Sequence, residues 1–346
     1  MKKVIILGVS IFIFSKVFAY NPPVASNQLF KLSSPTSLSG GSSASGKAIF
    51  DSTPESIAVN PSLTAFEQRV QLDGAFSALI SSDSDSTPFN AAFQTGILIP
   101  WKFGVFSGLV NGVFSNANEM NLGNSVNVKA GLSKEVTQRF SVGLNLSSGA
   151  FWGASSDWHL AADLGLLYRR ENLGFLKDFR FGLSFLNLGK VYETDLEGIN
   201  SDERADWFPS IVTVKAGVSS VFVQVKDFKF GSSLNVTVPT FQNGIFDLGL
   251  EFGIKDIVFV NVAETFDIQE FSRGHYDFCP SIGVSFKFLL NSKNNNYLKA
   301  HDWDKSEFTT SLAYQNKYST MNVISGGLNI KLGQQDTKPP VIEIWN

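Results

Sequence analysis

Three histidines and one cysteine are the residues of this chain whose chemistry is easiest to recognise. His159, His275 and His301 are scattered along the chain with no His-x-x-x-His pair, and Cys279 is its only cysteine. Zinc sites usually draw ligands from such closely spaced pairs, so the sequence predicts neither a metal site nor a cofactor. One cysteine cannot form an internal disulfide, and Cys279 is expected to be a small packing residue.

Six carboxylates are concentrated in one short stretch of the chain. They are Glu193, Asp195, Glu197, Asp202, Glu203 and Asp206. Their spacing lacks the regular ligand positions of a calcium loop, so a solvated acidic loop is the favoured interpretation. The chain also has no Gly-x-Ser-x-Gly elbow, and nothing in the sequence marks a Ser and His as a catalytic pair. We therefore do not expect an enzyme.

The first twenty residues have the three regions of a secretory signal peptide. Lys2 and Lys3 precede an apolar run over residues 4–14, and residues 17–19 end in Ala19. This arrangement predicts cleavage between Ala19 and Tyr20 and export of the mature chain. The apolar run is shorter than the roughly 20 residues that a membrane-spanning helix needs. Any crossing of a membrane is therefore expected to use strands.

The composition favours strands and argues against a nucleic-acid partner. The formal net charge is −3 and charged residues make up 17% of the chain. A nucleic-acid-binding protein is expected to carry a basic patch instead. Glycine and phenylalanine number 29 and 32, and such residues kink or fill strands rather than build helices.

Alternation of apolar and polar residues begins near Arg69 and continues almost to the end of the chain. In one clear example, positions 246, 248, 250, 252 and 254 are apolar, and Asp247, Gly249, Glu251 and Gly253 lie between them. This period of two places all apolar side chains on one face of a strand. Fourteen segments follow the pattern, near residues 69–81, 90–99, 102–115, 124–136, 138–149, 158–169, 178–188, 209–218, 227–238, 245–255, 257–265, 277–289, 306–317 and 321–333.

The polar face of these segments indicates a membrane barrel rather than a soluble sandwich. A soluble sandwich shows many charged residues on its outer face, whereas here the polar positions are mostly Gly, Ser, Ala and Asn. A barrel in lipid has apolar side chains outside and tolerates small or polar ones inside. Single-chain outer-membrane barrels also have even strand numbers. The sequence thus predicts an all-β, transmembrane antiparallel barrel of about fourteen strands, surrounded by outer-membrane lipid.

Two further features bear on the orientation of the barrel. Trp101, Trp152, Trp158, Trp207 and Trp303 fall at strand ends or in connections, where amphipathic rings favour the membrane interface. With a periplasmic N-terminus, the connections alternate between tight turns and longer outer loops. The connection from residue 291 to 305 is long where a short turn is expected, which could indicate a missed strand or a wrong count.

The stretch SGKAIFDSTPESIAVNPSLTAF, residues 45–66, stands directly before the first strand. It resembles the N-terminal segment of the FadL-type outer-membrane long-chain fatty-acid transporters, in which small residues lead to an Asn-Pro-Ala motif. Here Asn60 and Pro61 match the motif, Ser62 replaces its Ala, and Leu63 follows. In length and style the whole chain is similar to short, divergent members of that family in spirochaetes.

The resemblance implies a barrel plugged by an N-terminal segment that we call the hatch. With the signal peptide over 1–19, this gives a hatch over 20–68 and a barrel over 69–333. Residues 334–346 lie beyond the last strand, and we expect them to form a C-terminal periplasmic tail or to be the remnant of a linker to a lost domain. The hatch residues expected to take part in ligand binding or plugging are Asn60, Pro61, Ser62, Leu63 and Phe66.

Two functions remain open at this point. The first is outer-membrane transport or binding of long-chain fatty acids or other hydrophobic small molecules. The second is a scaffold or accessory role in a secretion or envelope complex. Transport predicts a continuous apolar pocket that reaches the hatch, and a scaffold predicts a filled lumen with an exposed apolar patch at one rim.

Overall fold

The computed structural model describes residues 26–82, 89–115, 124–152, 156–190, 196–197, 204–205, 212–274, 278–291, 295–300, 303–317 and 320–333. Fourteen long strands form a closed antiparallel barrel. The first seven are β1 Val70–Ser81, β2 Phe89–Trp101, β3 Gly104–Phe114, β4 Asn124–Thr137, β5 Phe140–Trp152, β6 Ser156–Leu173 and β7 Leu176–Lys190. The two-residue strands β8 Leu196–Glu197 and β9 Arg204–Ala205 pair with each other. The last seven are β10 Thr213–Val225, β11 Phe228–Pro239, β12 Ile245–Ile254, β13 Val258–Asp267, β14 Ser281–Asn291, β15 Lys305–Lys317 and β16 Met321–Leu332.

Closure of the barrel is made by the first and last strands. β1 pairs antiparallel with β16 from Val70 opposite Leu332 to Ser81 opposite Met321. Elsewhere each barrel strand pairs with its sequence neighbours, and β7 pairs with β10 across the acidic connection. Because every barrel strand has two paired neighbours, its backbone groups are satisfied within the protein, as hydrocarbon requires. The fourteen-strand transmembrane barrel predicted from the sequence is confirmed.

The two faces of the wall divide as the alternation predicts. Leu146, Leu248 and Leu312 point outward and keep 62%, 44% and 64% of their surface exposed. Their inward-facing neighbours Ser147, Asp247 and Ser311 are buried. The exterior is therefore a continuous apolar band, and the small polar residues face the lumen.

The two ends of the barrel differ in their connections. Tight turns at residues 102–103, 138–139, 174–175, 226–227 and 255–257 lie at the end where β1 begins and β16 ends. We call this end the turn rim and the opposite end the loop rim. Trp101 is exposed at the turn rim, and Trp152 and Trp158 are exposed near the loop rim. Trp303 is partly buried beside β15, and Trp207 lies outside the described residues.

The predicted starts of β10 and β14 differ from the structure by several residues. β10 begins at Thr213 and not near residue 209, and runs on to Val225 past an irregularity between Val221 and Val223. β14 begins at Ser281, so Cys279 precedes the strand. The long connection after β14 holds a short helix, Asn296–Ala300, rather than a missed strand. The predicted number of barrel strands is therefore correct, although the connection lengths are irregular.

Helices are short throughout the described part of the chain. Four lie in the hatch, namely 3₁₀ helices Ser26–Ser33, Pro54–Ala58 and Pro61–Thr64 and α-helix Pro35–Ser39. Another α-helix, Ile268–Ser272, follows β13. Among the residues that were searched, none of the helices has the length and apolar character to cross a bilayer.

A charge placed in the middle of the apolar exterior is expected to destabilise the barrel. Leu146→Arg should lower the free energy of unfolding in lipid vesicles by about 2–4 kcal/mol, the usual cost at the bilayer midplane. Ile254→Arg, an equally apolar position at the turn rim, should cost about 0–1 kcal/mol because the guanidinium reaches the headgroups. Urea titration with the tryptophan signal measures both. Equal costs at the two positions would contradict a membrane-facing exterior.

Candidate functional site

The described part of the hatch, residues 26–68, lies inside the lumen. Its apolar side chains Leu29, Leu32, Leu38, Ile57 and Leu63 are at most 5% exposed. The short helices begin where the sequence supplies a cap. The Ser34 hydroxyl accepts from the Ser37 amide, and a proline occupies the first turn of the helix that follows. Such caps stabilise a turn that is too short to persist alone.

Glycines on the inner wall make room for the hatch backbone. A Cβ atom built on Gly165 would overlap with Asn60, and one on Gly182 would overlap with Ala44. Hatch atoms also lie against other wall glycines, namely Gly96, Gly143, Gly217, Gly231, Gly249 and Gly283. The inner face, on which the sequence places mostly small residues, is thus the surface against which the hatch packs.

Asn60 joins the hatch to itself and to the wall. Its Nδ2 donates to the Ala44 carbonyl at 2.6 Å and to the Leu166 carbonyl of β6 at 3.0 Å. Its Oδ1 accepts from the amide and hydroxyl of Ser62 at 3.0 and 2.7 Å, which caps the helix Pro61–Thr64. Asn60 is fully buried. All four hydrogen bonds of its amide are therefore made inside the protein.

The other predicted hatch residues have different surroundings. Pro61 and Ser62 pack against the glycine at position 143 of β5, and the Ser62 carbonyl accepts from the Ser141 hydroxyl at 3.1 Å. Leu63 lines a lumen cavity. The Phe66 ring lies under the Arg169 guanidinium, 3.2 Å from its carbon to the ring centroid. The structure brings these residues together between β4, β5 and β6. Ala19 and Tyr20 lie outside the described residues.

A carboxylate that the sequence analysis did not single out holds the middle of the hatch. Glu251 of β12 is 1% exposed. It accepts from three successive hatch amides, those of Ala48, Ile49 and Phe50, at 2.7, 2.9 and 3.1 Å. Three charge-assisted bonds to one anion give a strong and directional attachment. Its only signal in the sequence is its place between Gly249 and Gly253 on the polar face of this strand.

Glu55 organises the opposite side of the hatch. Its carboxylate accepts from the hydroxyls of Ser34, Thr36 and Ser37 and from the Gln94 amide of β2. Burial alone would raise the pKa of Glu55, but nearby Lys47 and the hydrogen-bond donors outweigh it and hold that pKa below its ordinary value. The carboxylate is therefore ionised at neutral pH, which is the form that accepts all these bonds.

Two cavities lie in the lumen. Cavity 1 has a volume of about 580 Å³ and reaches the turn rim at Lys255–Ile257. Phe50 and Phe259, whose ring centroids are 4.7 Å apart, line it together with Lys287 and Lys331. Cavity 2, of about 160 Å³, extends toward the loop-rim ends of β10, β11 and β12. Both are mixed in character, so the continuous apolar pocket expected for transport is not observed.

The two cavities share one stretch of the hatch. Phe50, Asp51, Thr53 and Glu55 line both of them, together with Gln94 of the wall. We call residues 50–55 the partition. Glu251 holds its beginning and the bonds to Glu55 hold its end. The partition therefore lies between the two cavities.

Of the three histidines, His159 is the one that the structure describes. His159 of β6 is buried near Lys129 and Asp163, which pair at 2.6 Å. A search of the described residues found no group of three or more His, Cys, Asp and Glu side chains able to hold a metal. His275, His301 and most of the acidic stretch lie outside the described residues.

The closed barrel with an apolar exterior and an internal hatch places the chain among the transmembrane β-barrel proteins. No family model matches the chain, and no curated protein matches it. Solved structures do. The monoaromatic hydrocarbon channel CymD is 10% identical, with 93% of this chain and 100% of CymD covered and a TM-score of 0.51. The toluene transporter TodX of Pseudomonas putida is 8% identical, with 86% and 96% covered and a TM-score of 0.52.

A FadL homologue of Pseudomonas aeruginosa is 11% identical, with 90% of this chain and 98% of that chain covered and a TM-score of 0.48. At identities this low, structural similarity shows a shared fold and not a shared ligand. The likeness to CymD and TodX establishes that the chain has the fold of the FadL-type channels, as the resemblance of residues 45–66 implied.

Removal of the Asn60 amide is expected to loosen the hatch. Asn60→Ala leaves the Ala44 and Leu166 carbonyls without this donor and removes the cap of Pro61–Thr64. The cost should be about 2 kcal/mol in unfolding free energy. Limited proteolysis should then cut the hatch faster than in the wild type. Ser148→Ala, which removes a hydroxyl bonded within the wall, is the control and should leave hatch cleavage unchanged.

Loss of the Glu251 carboxylate is expected to make the barrel conduct ions. Glu251→Ala leaves three hatch amides without their acceptor, and unsatisfied buried donors cost about 1–3 kcal/mol each. Planar-bilayer recordings should show ion conductance well above that of the wild type. Glu251→Gln keeps one acceptor oxygen and should be intermediate. Wild-type conductance in both variants would mean that these bonds do not close the lumen.

Proposed function

We propose that this protein is an outer-membrane channel for hydrophobic small molecules and that the hatch closes it at rest. The observation that carries the proposal is the pair of cavities on opposite sides of the partition. A molecule that entered from the loop rim would occupy cavity 2, and movement of residues 50–55 would admit it to cavity 1. The protein need do no bond chemistry for this task.

The dimensions and lining of cavity 1 support a small ligand with an apolar part. Its volume of about 580 Å³ lies within the range of about 300–1,000 Å³ typical of ligand pockets. Phe50, Phe259 and Ile257 offer apolar contact, which contributes about 0.8 kcal/mol for each CH₂ group removed from water. Long-chain fatty acids and neutral hydrocarbons both fit this description, and both belong to the proposal.

The comparisons add support from proteins of the same fold. CymD is described as a monoaromatic hydrocarbon channel and TodX as a toluene transporter. For this chain we infer only the class of ligand, a hydrophobic small molecule. We also propose that residues 1–19 are cleaved as a signal peptide before Tyr20, that residues 334–346 form a periplasmic tail, and that Asn60–Leu63 and Phe66 act by seating the hatch.

A scaffold role is the other function that the sequence left open. It predicts a filled lumen, whereas the lumen contains two cavities that meet at one short segment. The geometry therefore favours a channel over a scaffold.

Filling cavity 1 is expected to abolish ligand retention. Ser311 of β15 lines the cavity, and its neighbour Leu312 faces the exterior. Ser311→Trp should weaken binding of oleate and of toluene to the purified protein at least tenfold, because the indole occupies the ligand's space. Leu312→Trp adds a similar ring on the lipid side and should leave binding unchanged. Fluorescence titration for oleate and native mass spectrometry for both ligands measure this. Unaltered binding in Ser311→Trp would exclude cavity 1 as the site.

A further inference from the structure

The turn rim carries an excess of exposed basic residues. They are Lys102, Arg139, Arg170, Lys177, Lys226, Lys255, Lys299 and Lys305. The exposed acids at this rim are fewer, namely Glu171, Asp178, Asp227 and Asp256. Within the described ranges none of the eight bases forms an ion pair, and Asp256 pairs with the less exposed Lys229 at 2.7 Å. The positive charge of the rim is thus not neutralised by the protein.

These bases alternate with exposed apolar side chains around the barrel. Lys102 stands between Trp101 and Phe103, which are 61% and 52% exposed, and its Nζ lies 4.8 Å from the Phe103 ring. Lys177 lies two residues after Phe175, which is 76% exposed. Exposed aromatic rings beside flexible cations are the pattern of a membrane interface, where rings enter the acyl boundary and the charged ends reach the headgroups.

The loop rim has the opposite charge in the sequence. Its connections hold acids at positions 83, 85, 119, 193, 195, 197, 202, 203, 206, 270 and 277, and Arg204 and Arg273 are their only bases. The basic excess is therefore a property of one rim and not of the protein surface in general. A basic and aromatic ring at one end of a barrel fits an anionic surface at that level of the membrane.

We propose that the turn rim binds the anionic headgroups of phospholipids in the leaflet that surrounds it. The phosphate and any further acidic group of the lipid accept hydrogen bonds from the lysine and arginine ends, and the neighbouring rings pack against the upper acyl chains. The ring of lipid would fix the depth and tilt of the barrel. Lys255 also lines cavity 1, but Lys102, Arg139, Lys177 and Lys226 do not, so the proposal stands whether or not the channel function proves correct.

The test uses the full protein in nanodiscs of equal parts phosphatidylcholine and phosphatidylglycerol. Lipids that remain bound after transfer to mild detergent are identified by native mass spectrometry. The wild type should retain phosphatidylglycerol several-fold over phosphatidylcholine, and the preference should fall as salt rises. The variant K102Q/R139Q/K177Q/K226Q should lose the preference for phosphatidylglycerol. Where one of these charges dominates the contact with a lipid, its removal should reduce the bound anionic lipid about fivefold.

Two variants serve as controls, one at the same four sites and one at neighbouring exposed acids. K102R/R139K/K177R/K226R keeps every charge and should retain the preference. E171Q/D178N/D227N removes acids and should strengthen it. Heat-modifiable gel migration checks that each barrel is folded. Equal retention of the two lipids by the wild type, or an unchanged preference in the glutamine variant, would overturn the proposal. Equal retention of the two lipids would leave the exposed bases of the turn rim available for an acidic soluble protein instead.

Discussion

The satisfaction of backbone hydrogen bonds in a place without water is the constraint on which this structure depends. In the wall, the pairing of β1 with β16 removes the last free edge of the sheet, because hydrocarbon offers no partner to an exposed amide. The hatch meets a related problem inside the lumen, since its short helices leave many backbone groups unpaired. Wall side chains supply the missing partners. Glu251 accepts from three hatch amides, and Asn145 and Ser184 donate to the hatch carbonyls of Ile57 and Val59.

The same constraint explains the unusual inner face of the barrel. A lumen filled by side chains alone would need large residues on the inner positions. Here a second piece of backbone fills part of that space, so glycines such as Gly165 and Gly182 allow it to approach. Serine and asparagine provide short, rigid hydrogen-bonding groups at the remaining positions. The composition of the wall is therefore matched to the hatch, and neither can be understood without the other.

The strands of the barrel could be predicted from the sequence more completely than the contacts that hold the hatch. The fourteen strands were predictable because lipid on one side and a polar lumen on the other impose a period of two on every strand. That signal weakens where a strand end leaves the membrane, which is why the predicted β10 and β14 begin before Thr213 and Ser281. The position of Asn60 followed from a resemblance, but its bonds to Ala44 and Leu166 join residues 16 and 106 positions away. Glu251 and Glu55 acquire their importance only when the chain is folded, since no local pattern relates them to the partition.

The kind of interaction that holds the hatch also determines how it can be released. A plug held by a large apolar contact would resist hydration, because exposure of its surface costs about 25 cal/mol for each Å². This hatch has a modest apolar cluster around Leu29, Leu32 and Leu38 near the loop-rim ends of β1, β3, β5, β15 and β16, whereas the partition is held mainly by hydrogen bonds to Glu251 and Glu55. Water that reaches the partition can replace such bonds to charged groups, at a net cost of about 1.5–3 kcal/mol each. The partition can therefore move when water or ligand reaches it, while the apolar cluster keeps the beginning of the hatch in place. Under the proposed function, this division of forces within one segment allows the barrel to be closed without being permanently blocked.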